Sequence, residues 1–282
     1  MIEPVYNVTR FAPSPTGRLH IGHAYSALFA ARAAEGGRFL LRIEDIDAGR
    51  GRLEFEEGIY EDLTWLGLEW ETPVRRQSDH FGDYRAAMRK LDEDGLIYPC
   101  FCTRKDIQRE VGYADQAPHG PDGVLYPGTC RALSPDEREA LVAAEEPHAL
   151  RLDMEKAMER TGPLTFIDRA HGYTEVLGLG CGDVVLARKD TPTSYHLAVT
   201  VDDAIQGVTL VTRGEDLLHA THIHRILQAL LGLPEPEYWH HGLLTGEDGK
   251  RYAKRDKSLT IQALREDGRS AAEVREMAEI PD

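Results

Sequence analysis

Cysteine is scarce in this chain. Four cysteines in 282 residues, with Cys100 and Cys102 one residue apart, make no disulfide framework. Long apolar runs are missing too, and none could span a bilayer, so no membrane association is expected. Met1 to Phe11 holds no cationic stretch followed by an apolar one, so no secretory signal is expected and the chain reads as cytoplasmic. Cationic side chains are outnumbered, with 33 Lys and Arg against 48 Asp and Glu and a net charge of −15. That balance argues against a generally polyanion-binding surface, because phosphate contact rewards clustered Lys and Arg. A local basic patch remains compatible with it. Internal repeats and low-complexity segments are absent. What is present, 41% hydrophobic and 29% charged residues, suits a globular protein of one large domain or two modest ones.

The pattern of apolar residues predicts a buried strand over 5–12 that runs into a Pro- and Gly-rich turn, Pro13 to Gly17. A helix follows over 21–35, stopped by Gly36-Gly37, and then a strand over 38–43. Strand, turn, helix and strand form one βαβ unit, which predicts a parallel sheet. Further amphipathic helices are expected over 53–66 and 84–91. The texture changes near Ile97. A loop rich in Gly, Pro and Asp spans Gly112 to Gly128, and a helix capped by Ser134, with Glu137 three residues on, comes next. A short strand is expected over 164–167. Strand signals resume over 184–187 and 208–212, with a helix over 217–231. The expected architecture is α/β, a doubly wound parallel Rossmann-type sheet formed by 1–96 and 186–255. Residues 97–185 are an insertion, and 256–282 a short helical C-terminal tail.

The run from Pro13 to His23, Pro-Ser-Pro-Thr-Gly-Arg-Leu-His-Ile-Gly-His, joins the first strand to the first helix, where open α/β sheets bind ligands. His20 and His23 are three apart and share one side of the helix start. Gly22 has no side chain, so a flat base could approach the backbone there. A helix N-terminus favours phosphate. An ordinary turn with two surface histidines is the bland alternative, and the eleven ordered residues in a βα context outweigh it.

His20-Ile21-Gly22-His23 resembles the HIGH signature of class I aminoacyl-tRNA synthetases. Arg10 to Gly17 (Arg-Phe-Ala-Pro-Ser-Pro-Thr-Gly) and Leu41 to Asp47 (Leu-Arg-Ile-Glu-Asp-Ile-Asp) resemble the glutamyl and glutaminyl branch. Gly249 to Arg255 resembles the second signature, KMSKS, with Arg251 where the first Lys is usual, Ala253 in place of Ser, and Lys254 at the second Lys. The similarity runs from about Thr9 to about Arg255. It implies an ATP site at Pro13, Gly17, His20, Gly22, His23, Arg251 and Lys254, with His20, His23 and Lys254 catalytic and Mg2+ accompanying ATP. A cationic loop can neutralise charge that builds on phosphates. It also implies an L-glutamate pocket of Arg10, Phe11, Ala12, Pro13, Ser14, Glu44, Tyr195 and Arg213. Glu44 suits the substrate ammonium and Arg213 its side-chain carboxylate.

Cys100-x-Cys102, Tyr126 and Cys130 resemble the zinc-binding group of this branch. Thiolates select zinc, and closed four-ligand sites are structural. Tyrosine is an unusual ligand, so water or His119 are alternatives for the fourth position. Cys181, His240, His241 and the group His219, His222 and His224 are read as ordinary; that group falls on a helix, with no carboxylate or Cys partner evident for a second metal.

The resemblance implies a monomeric ligase that makes glutamyl-adenylate without tRNA. The short tail after Arg255 is expected to hold no anticodon-binding domain. Members of the branch that stop at this point are similar in that respect, and they place glutamate on queuosine in the anticodon loop of tRNA(Asp). A minimal enzyme charging the tRNA 3′ end, and a non-catalytic RNA-binding paralogue, are the alternatives.

Overall fold

The computed structural model of the chain describes residues 6–34, 36–47, 49–103, 105–107, 119–120, 123–244 and 260–278. Strand β1 (Val8–Phe11) pairs in parallel with β2 (Arg38–Ile43), Val8 opposite Arg38 and Phe11 opposite Leu41. Helix α1 (Ile21–Ala33) crosses between them. Helix α2 (Leu53–Trp65) leads to β3 (Glu71–Arg76), which lies parallel beside β2, and α3 (Phe81–Glu93) follows. The sequence pattern did not predict β3, because Pro73 lies inside it. A proline is tolerated there because β3 is an outer strand, and a register shift lies between Leu40 and Arg42 where it pairs.

The next segment builds its own antiparallel sheet from β4 (Ile97–Cys100), β7 (Ala149–Leu152) and β10 (Val185–Ala187), with β7 central. Between β4 and β7 lie a small hairpin, β5 (His119–Gly120) with β6 (Gly123–Val124), and the helix Pro135–Ala143. Ser134 caps that helix reciprocally with Glu137, as the sequence predicts. Strands β8 (Thr165–Asp168) and β9 (Gly172–Glu175) form a hairpin.

The helix Tyr195–Ile205 then leads to β11 (Leu210–Gly214). The helix Leu218–Leu231 connects β11 to β12 (Glu237–His241). These two strands are parallel and in step, Leu210 opposite Glu237 and Gly214 opposite His241. Hairpin β8–β9 extends this sheet, with Asp168 opposite Tyr238. Thr209 stitches the halves together. Its N–H donates to the Val8 carbonyl (3.0 Å), and its hydroxyl accepts the Val8 N–H (2.9 Å). The strand order therefore reverses between β1 and β11, where a parallel α/β sheet opens a crevice at its C-terminal edge.

Both sheet faces are covered, and the central strands β1, β2 and β11 are buried along most of their length. Successive side chains alternate between the faces. Leu40 and Val211 join one core with Tyr84, Leu197 and Ile226, while Leu41, Ile43 and Leu210 join the other with Ala24, Ile59 and Leu63. The tail belongs to the second core. Its helices Ile261–Glu266 and Ala271–Met277 bury Ile261, Leu264 and Val274 there. No helix among the described residues is long and apolar enough to cross a membrane.

Candidate active site

A cleft of about 1120 Å3 opens over the reversal point. It is lined by the end of β1 and its turn (Arg10, Phe11, Ala12, Pro13, Ser14 and Gly17), by the start of α1 (His20, Gly22 and His23), and by Glu44, Tyr195 and Arg213. Twelve of the residues expected from the sequence thus meet in one place. Arg251 and Lys254 lie outside the described residues, but the chain on either side of them, Leu243-Leu244 and Thr260, lines the same cleft.

The histidines at the mouth of α1 cap their own helix. His20 Nδ1 accepts the Gly22 N–H (3.1 Å), and His23 Nδ1 accepts the His20 N–H (3.1 Å). With both Nδ1 atoms used as acceptors, the neutral rings carry their protons on Nε2, as donors. The ring centroids are 3.8 Å apart. Gly22 has a local role besides access for a ligand: a Cβ there would lie 3.1 Å from His20 Cε1, so the ring would have to shift by a few tenths of an ångström from its place over the helix end. Thr260 pairs with His20, and the Ile261 N–H donates to the Leu19 carbonyl (2.9 Å), which ties the tail to this segment.

Behind the cleft lies a buried ionic cluster. Arg10 Nε donates to Asp203 (2.9 Å) and its Nη1 to the Thr212 carbonyl (3.1 Å). Arg42, fully buried, donates to Asp203 (2.7 Å), Gln206 (2.9 Å) and Glu44 (3.2 Å). Burial pushes the Asp203 carboxyl up, but Arg10 and Arg42 more than offset this and hold it below the usual range. The Glu44 carboxyl is raised by burial, against the pull of Arg42 and Arg10.

Arg213 differs from these arginines. It is only 6% exposed, yet among the described residues no carboxylate pairs with it. Nε donates to His240 Nε2 (3.2 Å), Nη1 to His224 Nδ1 (3.1 Å) and Nη2 to Thr221 Oγ1 (2.5 Å), and the group lies 5.6 Å from the Tyr238 ring centre. Burial raises the hydroxyl of Tyr195, which Arg213 pulls down and Glu44 pushes up, so Tyr195 feels both charges. A buried cation held only by neutral groups and open to a cleft is a site for an anion.

The neighbours of Arg213 add to the sequence reading of the histidines. His240 does have a carboxylate partner, Asp168, on the adjacent strand β8. It escaped notice because β12, rich in His and aromatic residues, was not recognised as a strand, and so its C-terminal end was not placed at the ligand edge. His241 lines the cleft, where its Nε2, like Thr212 Oγ1, lacks a protein partner among the described residues.

Away from the cleft, the Cys100, Cys102 and Cys130 thiols lie within 4.8 Å of one another. Tyr126 Oη is 3.6 Å from Cys102 Sγ and accepts the Cys130 N–H (2.8 Å). Three soft donors and a phenol converge inside a small apolar cluster with Tyr98 and Leu133, a donor set that fits a closed zinc site. The His119 backbone pairs with Val124, and its side chain is outside the described set.

The family described as class I tRNA synthetases (E and Q), catalytic domain, matches residues 7–277. A glutamyl-Q tRNA(Asp) synthetase of Rhodobacter capsulatus is 50% identical over 283 residues, covering 96% of this chain and 99% of its own. A glutamate–tRNA ligase of Aquifex aeolicus is 40% identical over 263 residues, covering 92% of this chain and 54% of its own. Among solved structures, a glutamate–tRNA ligase of Elizabethkingia meningosepticum in complex with its amino acid superposes with a TM-score of 0.74 at 28% identity, over 89% of this chain and 52% of that one. The chain therefore belongs to the class I glutamyl- and glutaminyl-tRNA synthetase family of ligases, in its glutamyl-Q tRNA(Asp) synthetase branch.

Proposed function

We propose that the enzyme activates L-glutamate with ATP, without needing tRNA, and transfers glutamate to queuosine in the anticodon loop of tRNA(Asp). The observation that carries the activation step is Arg213, a buried guanidinium without a carboxylate partner among the described residues, in the same cleft as Glu44 and the paired histidines. Glutamate supplies what each group lacks: its side-chain carboxylate meets Arg213, and its ammonium meets Glu44. An oxygen of the α-carboxylate attacks the α-phosphorus of ATP, a phosphorus–oxygen bond breaks, and pyrophosphate leaves. The Nε2–H groups of His20 and His23 donate to the phosphate oxygens, and Lys254 and Arg251 neutralise the departing pyrophosphate. Mg2+ bound with ATP supplies further charge neutralisation. A hydroxyl of queuosine then attacks the activated carbonyl, and AMP leaves. Zinc held by Cys100, Cys102, Cys130 and Tyr126 staples the insertion and takes no part in these steps.

The experiment is exchange of labelled pyrophosphate into ATP. Exchange is expected with glutamate alone, and Lys254→Ala should lower it roughly tenfold or more. No exchange under any condition would favour a non-catalytic RNA-binding role. A preference for glutamine or aspartate would overturn the pocket.

A further inference from the structure

Arg213 has five N–H groups, and three of them go to acceptors on other elements: His240 on β12, and His224 and Thr221 on the helix Leu218–Leu231. An imidazole nitrogen accepts only when it carries no proton, so the direction of Arg213 depends on where the ring protons sit. For His240 the structure contains a device that decides this. Its Nδ1 faces the Asp168 carboxylate, which is fully buried and also accepts the backbone N–H groups of Ala170 (2.9 Å) and His171 (3.1 Å) and the His171 ring (3.0 Å). We propose that Asp168 is a positioning residue for amino-acid selection: its carboxylate holds the His240 proton on Nδ1, which keeps Nε2 an acceptor and fixes the Arg213 guanidinium for the substrate carboxylate. This rests on the reading of Arg213 given above.

Several features agree. The Asp168 carboxyl is pushed up by burial, but hydrogen bonds from His240 and His171 hold it well below the usual range, so it stays an acceptor. Burial and Arg213 lower His240 against the pull of Asp168, which keeps the ring neutral. Thr221 Oγ1 is 3.1 Å from His240 Nε2, so its hydroxyl can donate to the same nitrogen while its oxygen accepts from Arg213. The second acceptor, His224, is fully buried and lowered well below its usual value by burial and then Arg213, and its Nε2 lies 3.2 Å from His196 Nδ1. Its Nε2 proton is thereby occupied and its Nδ1 left to Arg213.

Asp168→Asn tests this. The amide oxygen is expected to take the place of Oδ1, where three donors converge, which turns the amide N–H2 towards His240. The ring must then move its proton to Nε2, donor against donor with Arg213. KM for glutamate in pyrophosphate exchange, with tRNA present, should rise roughly ten- to hundred-fold, while KM for ATP changes less than about twofold. In the double variant Asp168→Asn/His240→Gln, the Gln side-chain oxygen replaces Nε2 as acceptor and should recover much of the loss, which a purely structural defect would not. Nitrogen-15 NMR of the histidine rings in the wild-type protein reads the tautomer directly. A proton on His240 Nε2 overturns the proposal even if Asp168→Asn does not fold. An Asp168→Asn enzyme with normal KM for glutamate also overturns it. Arg213→Ala separates the two readings: if it leaves KM for glutamate unchanged, the assignment of Arg213 itself fails.

Discussion

Glu44 and Arg213 meet burial of charge in opposite ways. Glu44 leans on Arg42, 3.2 Å away, and its carboxyl is still raised above the ordinary value of 4.5 because burial outweighs the cations. Arg213 has only neutral hydrogen-bond partners among the described residues, and a guanidinium does not give up its proton. The sign of the Glu44 shift predicts how glutamate use depends on pH. The ammonium favours ionised Glu44, so binding lowers the carboxyl's value and expels any proton it holds. Affinity should therefore weaken as pH falls through the raised value of the free enzyme, above the ordinary carboxylate range. KM for glutamate should climb as the pH falls from neutral towards the ordinary carboxylate range, with KM for ATP less affected. Glu44→Gln should flatten that profile and raise KM at neutral pH by roughly tenfold or more. A glutamate KM that is constant across this range would remove Glu44 from the ammonium site.

At the scale of elements, the sequence spoke clearly where one local signal sufficed. The run from Pro13 to His23 is contiguous, so motif and cleft coincide, and the β2 range 38–43 and the Ser134 cap were legible from their own residues. Strand β12 was not, because Tyr-Trp-His-His has no apolar alternation, and its identity comes from lying between β11 and β8. The Asp168–His240 contact joins residues 72 apart, so only the sheet order discloses it. Asp62 on α2 was equally hidden. It is 1% exposed, its two oxygens lack hydrogen-bond partners among the described residues, and burial pushes its carboxyl up to about 6 despite Arg265 and Arg18. A raised folded-state value penalises the ionised form. The penalty is full above about pH 6 and vanishes below the ordinary 3.8. Asp62→Asn should therefore stabilise the fold by about 1–2 kcal/mol at pH 7.5, and the gain should disappear near pH 4, read from denaturant unfolding. A variant that is less stable at both pH values would show that the charge is matched after all. In the insertion, the thiol cluster predicts about one zinc per chain by elemental analysis. Cys130→Ser should lose it and lower Tm by roughly 5 °C or more, while pyrophosphate exchange at 25 °C falls only a few-fold, since the cluster does not line the cleft. Metal-free native protein with an unchanged Tm would exclude the site.

For the whole molecule, the question is where the activated glutamate goes. The chain aligns with 99% of the Rhodobacter relative but with about half of the Aquifex ligase, and the described tail is packed against α1, with Ile261 and Val274 fully buried. The proposed transfer would take a hypermodified, splayed base into the cleft, and unstacked loop bases are where specific RNA readout concentrates. Net charge of −15 makes extended backbone contact a poor alternative, so binding should depend on the base and only modestly on salt. We expect labelled glutamate to attach to tRNA(Asp) containing queuosine and to be negligible on the same tRNA lacking it. Nuclease mapping should place the label in the anticodon-loop fragment. Periodate oxidation alone does not discriminate, because the cyclopentene diol of queuosine is oxidised along with the terminal ribose. Equal labelling of both tRNAs, with the label on the 3′-terminal fragment, would instead identify an enzyme that charges the acceptor end.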